Sequence, residues 1–103
     1  MKKTITLIIT SPPAKLSHFS AAMDTALAAA SCEHDVRIIF LDKGLRHLTE
    51  AHAAILKLLK TYGIEAIYAF NHEKNNYYLP IIHWLNEAEL SALLHQPSIL
   101  WNY

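Results

Sequence analysis

Three short apolar runs, TITLIIT at 4–10, VRIIFL at 36–41 and AIYAF at 66–70, the first two rich in β-branched residues, are separated by stretches whose apolar residues return every three or four positions. Runs that are apolar on both faces suit strands covered on two sides, and a three-to-four spacing lays one stripe along a helix. A chain that switches repeatedly between these patterns has few folds open to it. Right-handed crossovers, a mainly parallel sheet and helices on both of its faces are expected.

The first helical stripe is Phe19, Ala22, Met23, Ala26, Leu27 and Ala30, and the second is Ala51, Ala54, Ile55, Leu58, Leu59 and Tyr62, with Thr49 as its cap and Gly63 as its stop. The triplet Asp42-Lys43-Gly44 ends the second strand as a turn, in which Gly44 is available for positive φ. LPIIHW at 79–84 reads as a fourth strand, with Pro80 near its start, after a polar loop over 71–79. Asn86 and Glu89 have the spacing of a capping box, Ala88, Leu90, Leu93 and Leu94 form the apolar side of a third helix, and SILWNY is a final strand beyond Pro97. The expectation is α/β: a single domain over 1–103, three layers in α/β/α order around a mainly parallel five-stranded sheet. The 103 residues are enough for one core, and 52% hydrophobic against 17% charged residues is the balance of a chain that buries one.

Ligand sites in such sheets form beyond the carboxyl ends of the strands. Ser11, Asp42, Lys43, Phe70, Asn71 and His72 fall there, and Tyr77 and Tyr78 continue the loop after the third strand; these eight residues are the candidate ligand or partner surface. The chemistry that can be placed on it is narrow. Ser11-Pro12-Pro13 occupies the position of a glycine-rich phosphate loop, and proline removes the N–H donors that a phosphate needs. Seven histidines offer no metal spacing: His47 and His52 lie on different faces of a helix, and Cys32-x-His34 has no third cysteine or histidine near it. Neither a metal nor another cofactor is therefore expected.

Nine basic and nine acidic residues cancel and are scattered, without the patch of a nucleic-acid or acidic-membrane binder. The opening MKKTITLIITSPP is too short in its apolar part for a spanning helix and has no small-residue cleavage site, so a cytoplasmic protein is expected, with no direct nucleic-acid or membrane partner. The one cysteine, Cys32, excludes an internal disulfide and fits a reducing compartment. It follows the first helix at its carbonyl end, beside Glu33, a poor place to activate a thiol; it is the weak candidate for a catalytic residue. Tyr77, Tyr78, Trp84, Trp101 and Tyr103 crowd the second half of the chain, as in a core or a buried interface.

The segments MDTALAAAS, IIFLDKGLRHL and YGIEAIYAF, set between MKKTITLIITSPP and ILWNY, resemble the DsrE/DsrF/DsrH superfamily over nearly the whole chain, and within it the TusC/DsrF-like subunits. IYAFNHE and LLHQPSILW also resemble the TusB/DsrH branch. The resemblance implies a cytoplasmic sulfur relay, in which a cysteine of a TusD/DsrE-like subunit carries a persulfide towards a TusE/DsrC-like acceptor. The sulfur is destined either for the 2-thiouridine of tRNA or for sulfur oxidation, and the related subunits assemble into a heterohexamer. TusD/DsrE-like and TusB/DsrH-like subunits are the partners it implies. In the cysteine-bearing relatives the sulfur carrier lies just after the third strand, where this chain has Phe70, Asn71 and His72, none able to hold a persulfide. The helix usual after that strand is replaced by NHEKNNYYLP. A non-catalytic subunit is the leading reading; a sulfur carrier acting through Cys32 and a small-ligand binding module are the alternatives.

Overall fold

The computed structural model describes residues 3–11, 16–47, 50–70 and 82–103. Their elements run β1 (Thr4–Ile9), α1 (Leu16–Ser31), β2 (Asp35–Phe40), a 3-10 helix (Asp42–His47), α2 (Glu50–Thr61), β3 (Ala66–Ala69), β4 (His83–Trp84), α3 (Glu87–His95) and β5 (Ile99–Asn102). The strands form one sheet in the order β4-β3-β2-β1-β5, and every pairing is parallel. The α/β architecture expected from the sequence is the one observed. Of the fourth expected strand, 79–81 lie outside the described residues, and β4 is only its last two positions.

One face of the sheet carries the main core. Register places Ile5 beside Val36, Ile38 between Leu7 and Ile67, and Phe40 between Ile9 and Ala69. Against these pack Phe19, Ala22, Met23, Ala26 and Ala29 of α1 with Leu56 and Leu59 of α2. The alanines of α1 bring its axis close to the strands, and the stripe read from its spacing is the one that is buried.

The other face is covered thinly. Thr6 and Ile39 are buried there, Arg37 is the register partner of Thr6, and the chain beyond α3 reaches across: Thr6 Oγ1 bonds Ser98 Oγ at 3.1 Å and Arg37 Nη1 donates to Gln96 Oε1. The α3 helix begins as expected, with Asn86 and Glu89 forming a reciprocal capping box. Its expected apolar side is not buried, however. Leu90, Leu93 and Leu94 are half-buried, Ala88 is exposed, and no residue of α3 is fully covered. The reason is reach. A helix of nine residues is about 13 Å long, whereas the path from β4 to β5 crosses four strand spacings, about 19 Å. The edge strand β5 consequently leaves Ile99, Leu100 and Trp101 between 37% and 48% exposed.

The turn after β2 also differs from expectation. Asp42, not Gly44, takes positive φ, at 52°. Gly44 serves a different need: an alanine Cβ there would lie 1.9 Å from the Ile9 carbonyl oxygen, so only a residue without a side chain lets the 3-10 helix press against the end of β1.

Two helices close in the same way. At the end of α1, Glu33 (φ 64°) and His34 donate to the Ala30 and Ala29 carbonyls; at the end of α2, Gly63 (φ 89°) and Ile64 donate to those of Lys60 and Leu59. Both are Schellman motifs, and the first puts a glutamate where glycine is preferred. Replacing Glu33 by glycine is expected to raise stability by about 0.5–1 kcal/mol, the left-handed penalty less the added freedom of the unfolded chain. Urea unfolding would measure it, and a loss of stability would mean that the Glu33 side chain contributes more than its backbone conformation costs.

Candidate functional site

The carboxyl ends of the strands form a rim in which adjacent backbones are tied together. Phe70 donates its N–H to the Phe40 carbonyl, Leu41 donates to that of Ile9, and Leu85 to that of Ala69. At the other side of β1, the Thr10 and Ser11 N–H groups both donate to the Tyr103 carbonyl, at 2.8 and 3.1 Å, and the Tyr103 N–H donates to the Ile8 carbonyl. Thr10 Oγ1 adds a bond to Asn102 Oδ1, and the Tyr103 hydroxyl lies 2.9 Å from Thr25 Oγ1 on α1. The order of strands reverses between β1 and β5, so this is where a sheet of this kind opens a crevice. Here Tyr103 fills it.

Of the candidate surface residues, Ser11, Asp42, Lys43 and Phe70 come together on this rim. Ser11 and Phe70 are half-buried, and Asp42 and Lys43 are exposed on the turn held by Gly44. Asn71, His72, Tyr77 and Tyr78 lie outside the described residues. The rim offers a hydroxyl, a carboxylate and an ammonium group to a ligand or a partner. It holds no thiol, because the chain's one cysteine is elsewhere.

Cys32 is exposed, in the turn that ends α1. A helix that precedes a parallel strand finishes at that strand's amino end, so Cys32 and the rim lie at opposite ends of the sheet. Three of the histidines have structural partners: His34 Nδ1 accepts the Lys3 N–H at 3.1 Å, His95 Nδ1 lies 2.7 Å from the Ser91 carbonyl, and the His83 ring tilts against Tyr68. Among the described residues, no group of three or more His, Cys, Asp or Glu side chains is placed to hold a metal ion, and no helix is long and apolar enough to cross a membrane.

A cleft of about 770 Å³ opens at the amino ends of the strands, between the tails of the helices and the starts of β1, β2 and β3. Arg37, Glu33, Glu65, Tyr62 and Gln96 are on its walls. Reading the sequence for strand carboxyl ends passes over it. The available signal was the charged Arg37 in the middle of an otherwise apolar strand, which a fully buried strand does not carry without a reason.

The DsrE/DsrF-like family model matches the chain over residues 3–93. No curated protein matches it at a significant level.

Proposed function

Because the chain belongs to the DsrE/DsrF-like family, we propose that it serves a cytoplasmic sulfur relay as a non-catalytic, TusC/DsrF-like subunit. It associates with a cysteine-bearing TusD/DsrE-like subunit and a TusB/DsrH-like one, and supports persulfide transfer to a TusE/DsrC-like acceptor, for tRNA 2-thiouridine synthesis or for sulfur oxidation. The observation that carries this reading is the position after β3. Phe70, Asn71 and His72 stand there, and the chain's one thiol is at the other end of the sheet. A subunit so built needs a partner to carry the sulfur. The half-covered α3 and the exposed Ile99, Leu100 and Trp101 of β5 support association, since clustered apolar side chains on a surface mark protein contacts.

Native mass spectrometry of the protein purified from its own cells is the test. A mixed assembly with a cysteine-bearing homologue is expected, and a lone chain found beside an abundant homologue would overturn the proposal.

The exposure of Cys32 favours one alternative, a carrier in its own right. Incubation with a persulfide donor would then add about 32 Da per sulfur, a gain lost in Cys32→Ser; an unchanged mass ends that reading.

A further inference from the structure

The amino-end cleft holds an arginine with two donors that have no hydrogen-bond partner. Arg37 donates through Nη1 to the neutral amide of Gln96, and its Nε and Nη2 are buried with no hydrogen-bond partner. Guanidinium donors deprived of water and left without an acceptor are costly. Nε and Nη2 form one edge of the planar fork that grips a carboxylate with two parallel bonds. Gln96 covers this group from an exposed position just beyond α3, a helix with no buried residue. Gln96 occupies Nη1, so displacing its amide would open the Nη1/Nη2 end of the fork to a carboxylate, and the orphaned Nη2 would gain a partner.

The surroundings of the guanidinium have the opposite sign. Glu33, Asp35 and Glu65 line the cleft with it. The cleft also borders the carbonyl ends of α1 and α2, at Ala30, Tyr62 and Gly63, and that of α3, at Gln96. Helix carbonyl ends carry partial negative charge and favour cations. A polyanion such as phosphate would meet one arginine and an acidic rim. A small molecule with a carboxylate at one end and an ammonium at the other meets both halves of the field. Tyr62, Ile64 and Pro97 give apolar wall to a side chain, and the volume lies in the range of small-molecule sites.

We propose that this cleft binds a zwitterion of the α-amino acid class, its carboxylate on Arg37 and its ammonium towards Glu33 and Glu65. The proposal does not rest on the sulfur-relay reading, and the site lies at the opposite end of the sheet from the carboxyl rim.

The test is an amide NMR titration of the full chain with L-phenylalanine, 3-phenylpropionate, phenethylammonium and inorganic phosphate. L-Phenylalanine is expected to shift amides at 33–37 and 62–66 with saturation below about 10 mM, and each compound lacking one charge to bind roughly tenfold more weakly, the loss of one charged contact. Phosphate is expected to leave these amides unmoved. Arg37→Gln should weaken L-phenylalanine at least tenfold, and Glu65→Gln should weaken it severalfold while leaving 3-phenylpropionate unaffected. Four results would overturn the assignment: no shift with L-phenylalanine at these amides, phenylpropionate or phosphate binding as tightly, full affinity in Arg37→Gln, or equal losses for both organic anions in Glu65→Gln. The amide spectrum of each variant, unchanged away from the cleft, separates lost binding from lost fold.

Discussion

Replacing Gly44 by alanine is expected to cost roughly 3 kcal/mol or more, enough to remove much of the stability of a domain this size. The new methyl would lie 1.9 Å from the Ile9 carbonyl oxygen and 2.6 Å from its carbon, and both atoms are backbone. Neither side can give way cheaply. Ile9 is fully buried in β1, which is paired on both sides, and its carbonyl already accepts the Leu41 N–H at 3.0 Å. Gly44 in turn donates to the Leu41 carbonyl at 2.8 Å, so moving it breaks the turn. Gly63→Ala is the instructive contrast. Its new Cβ meets nothing within 4 Å, and only the φ of 89° is penalised, by about 1–2 kcal/mol. In urea, the Gly44 variant should therefore unfold well before the Gly63 variant; similar midpoints would mean that the 3-10 helix can lift off β1 without loss.

The two faces of the sheet should respond to truncation very differently. Ile38→Ala removes a fully buried side chain between Leu7 and Ile67, under α1 and α2, and is expected to cost about 2–5 kcal/mol. Leu93→Ala on α3 should cost less than about 1 kcal/mol in the isolated chain, because no residue of that helix is buried. Paired urea curves would show it. A Leu93 loss as large as that of Ile38 would mean that α3 is held as firmly as the core face, and would remove the packing argument for a partner over it.

The sequence was a good guide to the strands and to the first helix, but less so to α2, where Leu58 and Tyr62 of the expected stripe are exposed and Leu56 is buried with Leu59. The three apolar runs became β1, β2 and β3 within a residue at each end, and the stripe from Phe19 to Ala30 is the buried side of α1. Asn86 and Glu89 form the capping box that their spacing implied, because that motif is local and needs nothing from the rest of the chain. What failed depended on tertiary placement. The apolar side of α3 was legible, but its burial depended on the distance between the two edges of the sheet. The role of Gly44 depended on how closely the 3-10 helix approaches β1, and composition alone pointed to its torsional freedom instead. The carboxyl rim was located by topology, and Ser11, Asp42, Lys43 and Phe70 do share it. The amino-end cleft was missed because the carbonyl ends of three helices and one strand arginine come together there only in space.

The pairing of β1 with β5 joins parts of the chain that are far apart in sequence: Ile5 lies beside Ile99 and Ile8 beside Asn102. During synthesis, β1, β2 and β3 leave the ribosome before β5 and can dock with α1 and α2 ahead of it. At about 5–20 residues per second, the outer edge of β1 stays unpaired for seconds on a nascent chain that already has its core. Contacts of such separation form slowly, since the loop between them must be ordered first. This open edge is the point at which the growing chain can pair with a strand that is not its own, and protection of that edge during translation would govern how much of the protein reaches its native sheet.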